Sequence, residues 1–146
     1  FSPGRSGGVP CTQLVKLCFS GKYGLQEVRE ALFNSGGFYG YLRTKDIRKV
    51  REMAEQGDEK AALLLQAFSY QLAKAIGSLA TVVGGKVDRI VLTGGMAYAP
   101  YVVEPIIERV SFIAPVTVVP GEEELEALHA GALRVLRGEE TAQVYR

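Results

Sequence analysis

Two short β-branched runs, Val87 to Leu92 and Val116 to Val119, constrain this chain more than any other feature. Each is apolar throughout its middle and bounded by turn residues, the pattern of a strand buried on both faces in a parallel sheet. Between them, from about Tyr101 to Val110, the apolar residues fall at helical spacing, with Pro105 inside the segment or near its first turn. A last helix is expected from Glu122 to Leu136, ended by Gly138, with Leu125, Leu128, Ala132, Leu133 and Leu136 facing inward. Strand, helix, strand, helix in this order is a βαβα unit, whose crossover is expected to be right-handed. Nothing before Val87 reads as strand. Two parallel strands alone do not make a stable sheet, so the order predicts sheet partners outside this chain or from another chain.

The first 86 residues read as loop and helix. Phe1 to Pro10, with Pro3, Gly4, Gly7, Gly8 and Pro10, is expected to be loop. Thr12 to Phe19 carries Leu14, Val15, Leu17 and Cys18 on one helical face, and Ser20-Gly21 stops it. A second helix is expected from Leu25 to Leu32, with Leu25, Val28 and Leu32 inward. Ser35 to Tyr41 holds three glycines and reads as loop. Thr44 is the expected N-cap of a helix from Lys45 to Gln56, ended by Gly57. Asp58 caps a long helix from Glu59 to about Val83, apolar on nearly all sides through Ala61, Leu63, Leu64, Leu65, Phe68, Leu72, Ile76 and Leu79. Such a helix belongs at the centre of a core or at a subunit interface.

Composition narrows the class. Hydrophobic residues make up 47% and charged residues 23%, which excludes a disordered chain. Seventeen Lys and Arg against sixteen Asp and Glu leave a net charge of +1, no footprint for nucleic acid or an anionic membrane. No stretch approaches the ~20 apolar residues that span a bilayer. The start, Phe1-Ser2-Pro3-Gly4-Arg5, has neither an initiator Met nor the order of a signal peptide, which predicts a cytoplasmic protein and a start inside something longer. Cys11 and Cys18 lie two helical turns apart, ~10 Å, too far for a bridge, and read as reduced, buried thiols.

Four local motifs bear on chemistry. Gly4-Arg5-Ser6-Gly7-Gly8 matches a hydrolase nucleophile elbow, but only three residues precede it and His129, the sole histidine, reads as a surface position on the last helix. Ser20-Gly21-Lys22-Tyr23 lacks the first glycine and the hydroxyl of a phosphate loop, and reads as a helix stop. Thr93-Gly94-Gly95-Met96-Ala97-Tyr98 follows a buried strand, where ligands of α/β sheets bind and where glycines let backbone approach a flat ring or a phosphate. The bland reading is a tight turn at positive φ. Gly121-Glu122-Glu123-Glu124 opens the last helix; the helix dipole accounts for most of that charge. If the strands pair, it lies beside Gly94-Gly95, where one glutamate could hold Mg²⁺.

Taken together, four stretches resemble the C-terminal part of the butyrate kinases, in the acetate-kinase branch of the actin/sugar-kinase superfamily. They are Phe1 to Pro10, Gln13 to Tyr23, Val87 to Tyr98, and Pro120 to Leu136, in family order and at family-like spacing. The resemblance reaches to about Glu140. It implies an α/β fold: the C-terminal part of a ribonuclease H-like, actin-like ATPase lobe, helix-rich with a short parallel βαβα unit. It implies that residues 1–146 belong to the second, adenosine-binding lobe of an acyl kinase, with the N-terminal lobe absent. Arg5 matches the arginine that contacts the transferred phosphoryl group. Asp46-Ile47-Arg48 resembles the motif lining the adenosine pocket, with Asp46 and Arg48 as nucleotide-binding residues. Gly94 and Gly95, followed by Met96 and Ala97, match the adenosine motif. Glu123 matches the glutamate that positions Mg²⁺.

Two departures from the acetate kinases, Val9-Pro10 in place of an acidic loop and Met96-Ala97-Tyr98 in place of a more polar continuation, resemble the butyrate branch. The implied reaction transfers phosphoryl from ATP to a short-chain carboxylate and back, with ATP or ADP and Mg²⁺ as cofactors and a homo-oligomer as the working form. The competing readings are a non-catalytic nucleotide-binding module and a Rossmann-type cofactor domain, in which Glu122 would be the ribose acid; the glycine pattern argues against the latter.

Overall fold

The computed structural model describes residues 1–121 and 123–144. Seven α-helices and two strands appear among them: α1 Cys11–Cys18, α2 Leu25–Phe33, α3 Gly37–Leu42, α4 Ile47–Glu55, α5 Glu59–Ala80, β1 Ile90–Gly94, α6 Pro100–Val110, β2 Val116–Pro120 and α7 Glu124–Leu136. Short 3-10 turns follow α5 at Thr81–Val83 and β1 at Gly95–Tyr98. The strands pair in parallel, Ile90 beside Val116 through to Gly94 beside Pro120, with α6 as the connection. This is the βαβα unit expected from the two β-branched runs. The first strand begins three residues later than that pattern suggested.

The core forms where α5 lies between α4 and α6. Phe38, Val50, Ala61, Phe68, Val102 and Val110 are all at or below 2% exposed. Phe1, Phe38 and Phe68 meet ring to ring with centroids 5.3–5.8 Å apart, edge-on or tilted as aromatic quadrupoles favour. Ser69, the one buried polar residue among the described residues, donates its hydroxyl to the Val102 carbonyl at 3.2 Å and so ties α5 to α6. Asp58 caps α5 as expected, accepting from the backbone N–H groups of Lys60 and Ala61. Pro100 opens α6 at a position that needs no donor, and Pro105 sits inside the helix.

Several expectations are corrected. The glycine-rich segment after Ser35 is not loop throughout, because Gly37–Leu42 forms α3. Its orphan donors are satisfied from outside: Gly36 N–H donates to the Gly4 carbonyl and Tyr39 N–H to the Pro3 carbonyl, each at 3.0 Å. Burial of Phe38 then holds the short helix down. Asp46, not Thr44, caps α4; Thr44 accepts from the Asp46 N–H instead. Cys11 and Cys18 are free but exposed, since no residue of α1 is buried. Leu25 is exposed too, leaving Val28 as the buried residue of α2.

α7 buries no residue at all: Leu125 is 82% and Leu136 81% exposed. The face read as inward is left largely uncovered by the described residues, with only Leu133 half-buried. His129 is exposed on the same helix, as the bland reading held. Glu122, read as the start of that helix and as the ribose acid of the Rossmann alternative, lies outside the described residues, as do Tyr145 and Arg146 of the tail.

Candidate functional site

The N-terminal loop is fixed by backbone bonds. Ser2 N–H donates to the Arg5 carbonyl at 3.0 Å, Arg5 N–H to Ser2 Oγ at 3.2 Å, and Ser6 N–H to the Leu32 carbonyl at 2.9 Å. With the two bonds into α3, the loop is pinned along its length. Gly36 and Gly37 make the close approach possible. A Cβ on Gly36 would lie 2.5 Å from Ser6 N, and one on Gly37, at φ +55°, would collide with the Ser2 carbonyl. The exposed Arg5 is thus presented on a rigid turn although its own side chain packs against little.

On one side of this loop lies a cleft of about 520 Å³. Pro3 contributes from the loop, Lys45, Asp46, Ile47 and Arg48 from the start of α4, and Gly95, Met96, Tyr98, Ala99 and Tyr101 from the turn after β1 and the first turn of α6. Four of the residues expected to bind nucleotide, Asp46, Arg48, Gly95 and Met96, therefore meet across one opening, although more than forty positions separate the two segments. Gly94 and Ala97 do not line it. Gly94 ends β1 at φ +87° and turns the chain toward the cleft; Ala97 sits within the 3-10 turn.

Asp46 organises the α4 side. Its Oδ1 accepts from the Arg48 backbone N–H, which caps the helix, and from Arg48 Nε, both at 3.0 Å; its Oδ2 accepts from Arg48 Nη2 at 2.8 Å. These bonds, led by the guanidinium, hold the Asp46 carboxyl at about 2. The Tyr101 ring braces the other wall, with the Arg51 guanidinium 4.6 Å from its centroid and Arg51 Nε donating to Glu55 at 2.6 Å. Burial pushes the Tyr101 phenol above its ordinary value, against the pull of Arg51.

The carboxyl ends of the strands meet as the parallel pairing required. Gly121 N–H reaches the Gly94 carbonyl at 3.4 Å. A Cβ on Gly121 would lie 3.4 Å from the Tyr98 hydroxyl, so the cleft's aromatic rim extends to the turn before Glu123. Glu123 is exposed at the N-cap of α7 and makes no side-chain cap bond. Among the described residues no group of three His, Cys, Asp or Glu gathers to form a metal cage. A single carboxylate does suit Mg²⁺, which keeps waters and takes phosphate oxygens alongside one or two protein ligands.

A larger groove of about 800 Å³ lies near Ser6, Val9, Leu63, Leu64 and Gln71. Among its lining side chains the one cation is Lys60, engaged with the Tyr41 carbonyl at 3.2 Å, and the amino terminus of Phe1 donates to Gln71 Oε1 at 2.8 Å.

Lys45 and Tyr101 carry no site role in the sequence reading, and Tyr98 enters it only as the end of the motif after the first strand. The adjacency of Lys45 to the Asp46-Ile47-Arg48 run was one available signal. The spacing of Tyr98 and Tyr101 across the end of one turn and the start of the next helix was another.

The fold is that of part of an α/β kinase domain, and the chain belongs to the acetokinase family, whose pattern matches residues 3–126. Among its relatives it is 53% identical over 146 residues to butyrate kinase 1 of Clostridium acetobutylicum. It is 49% identical over 145 residues to probable butyrate kinase 2 of Caldanaerobacter subterraneus subsp. tengcongensis. It matches 99–100% of its own length but spans only 41% of each of these relatives. The acetate kinase of Porphyromonas gingivalis superposes with a TM-score of 0.82 at 23% identity, over 92% of this chain and 40% of that one. The acetate kinase of Entamoeba histolytica gives 0.76 at 22%, over 90% and 42%. No helix among the described residues is long and apolar enough to cross a membrane.

Proposed function

We propose that this chain is the adenosine-binding part of a carboxylate kinase that transfers phosphoryl from ATP to butyrate or a similar short-chain acid, and back. The observation that carries this reading is the cleft in which the Asp46–Arg48 fork faces the Gly95–Met96 backbone. Asp46 and Arg48 form one wall for the nucleoside. Gly94 turns the strand, and Gly95, Met96 and Ala97 bring main chain against the base and ribose. In this reading the catalytic acid belongs to the N-terminal lobe, and the remaining sheet strands to the same second lobe as residues 1–146. The working form in this reading is a cytoplasmic homo-oligomer, whose oligomeric state light scattering tests directly.

In the reaction, a carboxylate oxygen of the substrate bonds to the γ-phosphorus as the bond to the β-phosphate oxygen breaks. Positioning and charge stabilisation do most of the work in such transfers. Arg5 supplies a planar fork of donors to the equatorial oxygens of the moving group. Glu123 would hold Mg²⁺ through one carboxylate, and the ion, when bound, neutralises phosphate charge.

The test is a chimera in which this chain replaces the matching 146 residues of the Clostridium acetobutylicum kinase. Acyl phosphate formed from ATP and butyrate by the chimera, and none by the 146-residue chain alone, is the expected result. An inactive but folded chimera that binds no nucleotide overturns the proposal. One that binds ADP without turnover favours the second reading, a nucleotide-binding module.

A further inference from the structure

Lys45 occupies a position that none of the readings above uses. It stands one residue before Asp46 and lines the same cleft as Asp46, Arg48 and Gly95. Its side chain runs back over the N-terminal loop. A Cβ built on Gly4 would lie 3.0 Å from Lys45 Cε, 3.3 Å from Nζ and 3.0 Å from the Asn34 carbonyl, so the end of the Lys45 side chain lies against the Gly4 backbone. Gly4 is the residue immediately before Arg5. The ammonium also lies 5.5 Å from the Tyr39 ring centroid, on a residue whose N–H is bound to Pro3. One cation therefore connects the wall of the cleft to the loop that presents Arg5.

The charge of Lys45 is not consumed locally. It makes no ion pair among the described residues. Glu30 is the carboxylate that feels it. Hydrogen bonds from Asn34 and Ser35, both 2.8 Å, hold Glu30 below its ordinary range, and Lys45 adds a weaker pull in the same direction. Arg48, by contrast, is committed to Asp46, and Arg51 to Glu55 and Tyr101. Of the three cations at the start of α4 that the cleft and its brace involve, Lys45 is the one left to meet an anion from solution.

We propose that Lys45 reads the phosphate tail of the nucleotide, holding the di- or triphosphate as it leaves the cleft toward Arg5. This rests on the adenosine reading of the cleft and adds the site's preference for a phosphorylated ligand over the bare nucleoside. An ammonium is a compact cation with three rotatable donors, suited to a flexible chain of phosphate oxygens. The glycine at position 4 keeps that cation within reach of both the tail and the arginine loop.

The experiment measures binding of adenosine and of ADP by calorimetry to the chimera described above, as wild type, Lys45→Ala and Lys45→Arg. The expected result is that Lys45→Ala weakens ADP by roughly 10-fold or more, the scale of losing one charge-assisted bond, and leaves adenosine unchanged. Lys45→Arg should restore most of the ADP affinity. The salt dependence of ADP binding should flatten in Lys45→Ala. Unchanged ADP affinity in Lys45→Ala, with adenosine still bound, overturns the Lys45 proposal alone. An equal loss of adenosine and ADP also overturns it, since Lys45 would then shape the cleft and not read phosphate. Failure of the wild-type chimera to bind adenosine or ADP overturns the adenosine reading itself.

Discussion

Arg48 grips Asp46 through two parallel bonds, Nε to Oδ1 at 3.0 Å and Nη2 to Oδ2 at 2.8 Å, while the same carboxylate caps the helix that carries both residues. One side chain thus fixes where α4 begins and which way its first guanidinium lies. The cleft wall is set before any ligand arrives.

This coupling has a pH signature. The Asp46 carboxyl is held at about 2, below its ordinary 3.8. A depressed acid contributes its stabilisation fully above the ordinary value and loses it as pH falls from there through the folded value. The start of α4 should therefore be intact at pH 5 and loosen between about pH 4 and 2. A carboxyl-carbon NMR titration should place Asp46 near the low value, and Arg48→Ala should return it toward the ordinary one. No change on removing Arg48 would show that the backbone N–H bond suffices.

Gly37 and Gly57 offer a matched pair. Both lie at positive φ, +55° and +95°, but a Cβ on Gly57 meets nothing within 4 Å, whereas one on Gly37 strikes the Ser2 carbonyl. Gly57→Ala should cost roughly 1 kcal/mol from conformation alone. Gly37→Ala should cost clearly more, since the arginine loop must also move, and it should lower turnover of the chimera. Urea denaturation of both variants checks this; equal losses would mean that the loop yields without cost.

Gly95→Val places a β-branched side chain on the exposed turn that faces Arg48 across the cleft. In the chimera, KM for ATP should rise by at least tenfold while KM for butyrate changes little. Parallel kinetics for the two substrates decide the matter. A similar rise in both would assign the turn a structural role only.

Arg5 is exposed, so packing gives no reason for its charge, and the proposed reading assigns it to the transferred phosphoryl group. Arg5→Lys in the chimera should lower kcat by roughly 10²–10³-fold, the scale for losing one charge-stabilising donor. Melting temperature should stay within a degree or two, because the loop is held by backbone bonds that the side chain does not make. Near-normal kcat in Arg5→Ala would remove Arg5 from the mechanism.

Much of this architecture was legible in the residues, for identifiable reasons. Asp58 capped α5 because its carboxylate had free N–H groups to meet, a local interaction. The strands were readable because β-branched runs between turns have few alternatives. α3 was missed because its stability is not local: the Pro3 and Gly4 carbonyls that cap it lie more than thirty positions away. Misreading Cys11 and Cys18 as buried had a related cause. Helical spacing shows that a face exists, but not whether anything packs on it. In the cleft, the two walls could be named singly from Asp46-Ile47-Arg48 and Gly94-Gly95. The place of Lys45 was not legible, since its side chain meets the Gly4 backbone more than forty positions away in sequence.

α7 has a consequence for how the molecule behaves in time. It is a thirteen-residue helix with no buried side chain. Helices of that length are marginal in water when nothing packs on them. Its backbone amides should exchange with deuterated solvent far sooner than those of α5, whose centre is locked between two neighbours. When the exposed leucines of α7 gain a covering surface, that exchange should slow by orders of magnitude. The last helix of this chain is thus a sensitive reporter, and its amides would register the arrival of any surface that packs on it.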